Sequence, residues 1–341
     1  MASPVPDTLK DGRTRLWFAS LALLAKAEQV FFSNWSEAAR TLDEESIHDL
    51  RVASRRLREA LTLFSPALPR ARCAKALKQT KRVTRMLGEL RNADEGFLFF
   101  SSLGADERSR CQWEVDQLLQ ELGREREQAR EGLSRRFKEL GQQPLRNRLR
   151  ALRDRPNLFR SREADPFQEF SLFAGKALME RADSVDSLLP GALDEADSAA
   201  QHALRIAVKM MRYRLEAVEP LMAEGCPGLR DALKSYQEVL GKLHDLDVFG
   251  EMVRERVREG PGREKLLRVI AWRRGGVFAA FLELVHRLPL ATAAKEAVAK
   301  MSAQEGRPDR PSSLRSPCKP QRQKRGSTSP GCRSADDSGG S

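Results

Sequence analysis

The chain contains one sequence twice, first as His48-Asp-Leu-Arg51-Val-Ala-Ser-Arg55-Arg56-Leu-Arg58-Glu-Ala-Leu61. The second copy, 154 positions later, reads His202-Ala-Leu-Arg205-Ile-Ala-Val-Lys209-Met-Met-Arg212-Tyr-Arg-Leu215. An α-helix turns by about 100° per residue, so the histidine and three cations of each copy fall within an arc of roughly 80°. We call these two sets the cationic faces: His48, Arg51, Arg55 and Arg58 in the first copy, and His202, Arg205, Lys209 and Arg212 in the second.

The opposite side of each predicted helix is apolar. It carries Leu50, Ala53, Leu57 and Leu61 in the first copy, and Leu204, Ala207, Met211 and Leu215 in the second. This spacing is typical of a helix that packs one stripe into a core. A proline follows each copy, Pro66 and Pro220, and should end the helix at or before the preceding residue.

A second landmark follows each copy at nearly the same distance. Leu87-Gly88-Glu-Leu-Arg91-Asn92-Ala-Asp94 corresponds to Leu240-Gly241-Lys-Leu-His244-Asp245-Leu-Asp247, with an offset of 153. Two landmarks that stay in register over some 150 residues predict a duplicated α-helical unit.

Together these motifs resemble the CHAD domain, a histidine-containing α-helical domain, from about Thr14 to about Lys300. The resemblance implies an all-α fold of two pseudo-symmetric four-helix bundles around a basic central channel. It also implies binding of inorganic polyphosphate, with no established catalysis. The sequence departs from the pattern at Asn92, where the second half has Asp245, and at Met210, where the first half has Arg56.

The predicted polyphosphate-binding set extends beyond the cationic faces to other helices, and it includes no catalytic residue, no metal ligand and no cofactor site. It comprises His48, Arg51, Arg55, Arg58, Lys81, Arg82, Arg85, Arg126, Arg130, His202, Arg205, Lys209, Arg212, Tyr213, Lys234, Arg273 and Arg274.

The charge of the chain favours an anionic partner. The net charge is +12, and the segment from Gly306 onward carries eight Lys and Arg against three Asp, so it contributes +5 and the rest +7. A body that is basic without its tail points to polyphosphate, nucleic acid or anionic lipid. A single basic helix face is more often merely solvated, and the duplication is what favours binding.

The sequence predicts one large duplicated domain between two flexible ends. We expect a leader over residues 1–12, a domain over 13–302 with halves of about 13–160 and 163–302, and a disordered basic tail over 303–341. Leu16 to Ala25 weakly resembles a signal peptide, but Asp7 and Asp11 precede it and the helical period continues, so a first bundle helix is favoured. No run approaches the roughly 18 apolar residues of a membrane span, and the five cysteines have no disulfide-framework spacing, which favours the cytoplasm.

Two groups of polar residues have alternative interpretations. His48 and His202 could donate to phosphate, which would raise their pKa values and make affinity increase as the pH falls through about 6.5, or they could bond to nearby backbone. Asp94, Asp245 and Asp247 follow a glycine, where a carboxylate more often caps the next helix than binds a cation. Glu216 is predicted to pair with Arg212 one turn earlier.

Three classes of function fit a basic helical protein. The favoured one is non-catalytic binding of polyphosphate. Such binding could bring the protein to polyphosphate granules or to a polyphosphate-metabolising enzyme. A nucleic-acid-binding or phosphate-sensing protein is the alternative, although aromatic residues make up only 6% and no nucleic-acid motif occurs. An enzyme acting on phosphoanhydrides is disfavoured, because the sequence has no phosphate-binding glycine loop, no nucleophile motif and no carboxylate cluster for two metals.

Overall fold

Apolar residues recur with the helical period along most of the chain, and they produce twelve α-helices in the residues that the structure describes. This computed structural model describes residues 14–154, 164–222 and 225–303, and contains no β-strand within those ranges, so the predicted all-α class is confirmed. The helices are α1 Leu16–Thr41, α2 Glu44–Leu63, α3 Arg70–Met86, α4 Gly88–Ser101, α5 Ala105–Arg108, α6 Gln112–Leu140, α7 Gln143–Arg153, α8 Phe170–Ala192, α9 Ser198–Val218, α10 Pro227–Arg256, α11 Pro261–Arg287 and α12 Leu290–Ala303.

The two copies of the repeated sequence form α2 and α9, as predicted. The carboxylate of Asp43 caps α2 by accepting a hydrogen bond from the Ser46 amide at 2.8 Å, and Asp197 caps α9 in the same way with the Ala200 amide, also at 2.8 Å. The helices end at Leu63 and Val218, shortly before Pro66 and Pro220.

Two groups of four helices share one hydrophobic core. α1, α2, α3 and α7 pack together in the first half, and α8, α9, α10 and α12 pack together in the second. Each group contains one motif helix, and α2 packs directly against α9. The order of the helices matches what a duplication would produce, and the duplication itself stays a prediction.

A second core lies between the halves and was not predicted from the sequence. It joins α4 and α6 to the C-terminal part of α10 and the N-terminal part of α11. Phe99 of α4 stacks on Phe249 of α10 with ring centroids 4.4 Å apart. The halves are therefore connected by apolar packing here as well as by the contact of α2 with α9.

Several predicted helix boundaries were wrong. The sequence predicts a first helix from about Thr14 to about Asn34 and an acidic connector over 36–46. α1 instead continues to Thr41, because Trp35 and Ala38 extend its buried stripe, and only Leu42 and Asp43 separate it from α2. α10 continues through Gly241 to Arg256, because buried apolar residues recur on both sides of the glycine. The predicted leader, the boundary between the halves and nearly all of the predicted tail lie outside the described residues.

α1 is long and apolar enough, by length and composition, to cross a membrane, and it lies near the start of the chain. Its residues Leu16, Leu23, Phe31, Phe32 and Trp35 are buried in the core. The core position accounts for the apolar character of α1.

A buried ion pair holds α2 against α9. The Arg214 Nε donates to Glu59 Oε1 at 2.5 Å, and the Arg181 Nη2 of α8 lies 3.5 Å from the same oxygen. Glu59 and Arg214 are both buried. Charges removed from water in this way must remain paired, since an isolated buried charge is strongly destabilising.

We expect Glu59→Gln to lower the free energy of unfolding by about 3–5 kcal/mol, because it leaves the Arg214 guanidinium buried without its carboxylate. Urea unfolding followed by circular dichroism measures this. Glu59→Met combined with Arg214→Met should restore most of the loss, since a buried ion pair is often replaced by apolar residues at little cost. Glu37→Gln, in the exposed pair with Arg40, is the control and should unfold like the wild type. A wild-type unfolding curve for Glu59→Gln would contradict the assignment.

Candidate functional site

The two motif helices contact each other beside their cationic faces, where α2 packs against α9. The Arg55 Nη1 donates to the Tyr213 hydroxyl at 3.3 Å, which joins the two helices. Glu216 accepts from Arg56 Nε at 2.6 Å and from Arg212 Nε at 2.9 Å, so the predicted pair of Glu216 with Arg212 is confirmed. The ring of Tyr213 is buried, so only its hydroxyl edge contributes to the polar surface.

Three arginines converge beside this crossing. The pKa of Arg58 is lowered, first by burial and then by the nearby charge of Arg55, while Glu59 acts in the opposite direction and Arg85 of α3 lowers it further. In the described part of the chain, none of Arg55, Arg58 and Arg85 forms an ion pair with a carboxylate. The site therefore holds like charges close together, an arrangement that repels itself and that an anion would stabilise.

A pair of histidines lies near the beginning of α9. The Nδ1 atoms of His202 and His244 are 3.1 Å apart, so one ring must donate and the other accept. Burial lowers the pKa of His202, and Arg205 and Lys209 lower it further. Burial, followed by Arg205 and His202, lowers the pKa of His244 to about 4. Both rings are therefore neutral at pH 7 in the free protein.

His244 was missed by the sequence analysis as a site residue, and neither interpretation of His202 named its actual partner. The only available signal was that His244 occupies the second landmark, three residues after Gly241. Its equivalent in the first half is Arg91, so the duplication does not single out a histidine there.

The first half has a different arrangement around His48. His48 is exposed, and with Arg51 it lines a cavity of about 390 Å³ whose wall also contains Asp94 and the acidic residues Glu44, Glu45 and Glu95. This end of α2 therefore combines cations with several carboxylates, whereas His202 at the beginning of α9 lies near two cations, Arg205 and Lys209, and one carboxylate, Asp247.

The interpretation of Asp94 and Asp247 as helix caps was wrong. Both lie inside helices, Asp94 in α4 and Asp247 in α10, because these helices do not end at the expected positions. Asp94 Oδ1 accepts from Arg126 Nε at 2.5 Å, and Asp247 Oδ1 accepts from Arg274 Nε at 2.6 Å. Each carboxylate thus fixes an arginine of the next long helix, α6 or α11. Asp245 also lies inside α10.

The other predicted residues occupy different surroundings. Arg273 makes a two-pronged contact with Glu107 of α5, at 2.7 and 2.6 Å, and its guanidinium lies over the Phe99 ring. Lys81 and Arg82 are exposed on α3, Arg130 is half-buried on α6, and Lys234 is exposed 3.9 Å from Glu238. The structure thus pairs Arg126, Arg212, Arg273 and Arg274 with carboxylates, whereas Arg55, Arg58 and Arg85 have no carboxylate partner within the described residues.

Residues suited to bind a metal are not clustered. In the described ranges, no group of three or more His, Cys, Asp or Glu side chains could hold a metal ion.

Comparison with protein families decides the classification. The model of the CHAD domain matches residues 22–254, which include both motif helices and both landmarks. The chain belongs to the CHAD family. This family is associated with polyphosphate- and phosphate-related proteins. A comparison with curated protein sequences finds no match.

Solved structures show the same fold. A crystal structure of the CHAD domain from the plant Ricinus communis has a TM-score of 0.56 and 23% identity, and the match covers 89% of this chain and 95% of that one. PptA from Streptomyces chartreusis has a TM-score of 0.55 and 16% identity, over 85% of this chain and 100% of that one.

We expect this CHAD protein to lose stability as the pH falls from about 6.5 to about 4. The pKa of His244 in the folded state is about 4, below its value in the unfolded chain, so the unfolded state binds more protons within this window. His244→Gln should therefore reduce the slope of unfolding free energy against pH, measured by urea unfolding at a series of pH values. The control is His286→Gln, which removes an exposed histidine of α11 and should keep the wild-type slope. An unchanged slope for His244→Gln would show that His244 does not cause the loss of stability at low pH.

Proposed function

We propose that the chain binds inorganic polyphosphate along the cationic faces of α2 and α9 and does not catalyse its conversion. The observation that carries this proposal is the convergence of Arg55, Arg58 and Arg85 without a carboxylate partner in the described residues. Arginine presents a planar set of donors that fits two oxygens of a phosphate at once, so three such groups suit consecutive phosphates.

The shape of the site favours a polymer over a single phosphate. His48 and Arg58 are ten residues apart on one helix, which corresponds to about 15 Å along its axis. The second cationic face adds His202, Arg205, Lys209 and Arg212 on α9, which packs against α2. One phosphate contacts only part of such a row, whereas an extended polyanion contacts many of its cations together.

The side chains of the cationic faces are less suited to nucleic acid. Single-stranded nucleic acid is commonly held by bases stacked on aromatic side chains. The one aromatic residue of the site, Tyr213, is buried and contacts Arg55 through its hydroxyl, so its ring presents no face for stacking. A polyphosphate chain needs only donors and positive charge, and the site supplies both.

Two glycines support the close approach of a ligand. Gly88 and Gly241 occupy equivalent positions of the second landmark, and a Cβ added at either would meet no atom within 4 Å. The packing of the protein therefore does not require glycine at either position, and at Gly241, in the interior of α10, glycine also destabilises the helix. Gly241 lies between Gln237 and His244, the residues of α10 that bond to Arg212 and His202.

We expect Gly241→Ala to raise the free energy of unfolding by up to about 1 kcal/mol and to weaken polyphosphate binding roughly tenfold, equal to one lost phosphate contact. Urea unfolding and isothermal titration calorimetry measure the two effects. Gly132→Ala, at an equally open glycine inside α6, is the control and should raise stability without changing affinity. Equal affinities for both variants and the wild type would show that Gly241 has no role toward the ligand.

The direct test replaces Arg55, Arg58 and Arg85 together by Gln. At about 150 mM salt, where exposed charges are screened beyond roughly 8 Å, we expect the affinity for long-chain polyphosphate to fall roughly a thousandfold, because three charged contacts are lost. Calorimetric titration measures the affinity, and circular dichroism verifies the fold.

The matched control replaces Arg135, Lys138 and Arg148 by Gln, which removes the same charge from exposed positions of α6 and α7. This variant should bind nearly as well as the wild type. Equal losses in both variants would indicate diffuse attraction to a basic protein and would contradict the proposed site.

Two further readouts separate the alternatives. Polyphosphate should displace bound single-stranded DNA at a far lower phosphate concentration than DNA displaces polyphosphate, and the reverse order would favour nucleic acid. The length of the polymer should stay unchanged during incubation, whereas shortening would indicate an enzyme.

In cells, we propose that binding directs the protein to cytoplasmic polyphosphate granules and to enzymes that metabolise the polymer, and the triple variant should lose that localisation.

A further inference from the structure

A large apolar groove lies on the surface between α4, α10 and α11. Its volume is about 930 Å³, and its walls include Leu98, Phe99, Leu246, Phe249 and Trp272. Trp272 is 77% exposed and Leu98 is 53% exposed, although both belong to one continuous apolar surface. Single exposed apolar residues are common, but a continuous exposed patch around a groove marks a surface that another molecule covers.

Two glycines leave the backbone of α11 without side chains close to Trp272. Gly275 and Gly276 follow it in the middle of α11 and line the same groove. A Cβ added at Gly276 would meet no atom within 4 Å, so the packing of one copy does not require glycine at this position. Adjacent glycines weaken a helix, but they allow another side chain to approach its backbone closely.

The groove is rigid on the side of α4. Arg273 is fixed by its two contacts with Glu107 and lies over Phe99, whose ring stacks on Phe249. These contacts keep the apolar wall in place without a partner. A partner side chain would therefore enter a preformed cavity, which reduces the entropy lost on association.

The charges around the groove indicate what covers it. The charged residues among its lining are Glu95, Lys242, Asp245 and Arg273, whose formal charges sum to zero, whereas the whole chain carries +12. Two copies of so basic a protein repel each other over most of their surfaces, and this patch is one where they can meet without that repulsion. A twofold interface uses the same patch on both copies, so charged groups within it can pair across the interface only if the patch carries both signs of charge.

We propose that the groove is the interface of a homodimer, in which Trp272 of each copy packs into the groove of the other beside Gly275 and Gly276. The patch contains a projecting aromatic side chain, a cavity that accepts one and charges of both signs, so it is complementary to itself. The proposal does not depend on polyphosphate binding, because the groove and the arginines around Arg58 are tested by different variants.

The test is sedimentation equilibrium of the full-length chain, freed of bound polyanions, over a wide range of concentrations. The wild type should change from the mass of one chain to that of two as the concentration rises. Trp272→Glu places a charge in the interface and should weaken association by at least roughly tenfold. Trp113→Glu, which alters another largely exposed tryptophan (64%), in α6 and outside the groove, should associate like the wild type.

A second pair of variants separates association from folding. Gly276→Gln places a side chain on the exposed backbone of α11 beside Trp272, so it should raise the thermal stability of the dilute monomer and weaken the dimer. Gly132→Gln should raise stability alone. A wild type that stays monomeric at every concentration would overturn the proposal, as would a dimer that Trp272→Glu and Gly276→Gln leave intact or one that Trp113→Glu weakens equally.

Discussion

The contact of α2 with α9 is the constraint on which the rest of the structure depends. Both helices are amphipathic, their apolar stripes belong to one core, and α2 packs directly against α9. The buried pair of Glu59 and Arg214 fixes this crossing. The energy of core packing therefore sustains a convergence of like charges that would not form by itself.

The carboxylates of the protein neutralise some of these cations and not others. Asp94, Asp247 and Glu107 each fix one arginine of a long helix, and Glu216 joins Arg56 to Arg212. These ion pairs hold the helices around the site in position. The arginines around Arg58 have no such partner in the described residues, and the pKa of Arg58 is lowered first by its burial and then by the charges of Arg55 and Arg85. Like charges therefore lie close together around Arg58, whereas Arg126, Arg273 and Arg274 are each paired with a carboxylate.

The second core gives the molecule two surfaces of opposite character. α10 contributes to both cores, and its polar residues Gln237 and His244 contact α9, while Val239, Lys242 and Leu246 line the apolar groove. One continuous helix thus separates a strongly cationic site from a groove whose charges cancel. This separation would let the protein bind a polyanion on one surface and a second copy of itself on the other without competition.

The sequence by itself determined the helical class, the two motif helices and the residues of the cationic faces, because these follow from periodicity and capping within a few helical turns. Glu216 was paired correctly with Arg212 for the same reason, since they are neighbours on one helix. Only the tertiary structure decided the partners across helices. The partners of Asp94, Asp247 and His202 are 32, 27 and 42 residues away in the chain, and their contacts depend on which faces the cores turn towards each other. The second core also depends on tertiary packing. The glycine at position 241 suggests a helix end, but α10 continues past it because Leu240, Leu243 and Leu246 are buried.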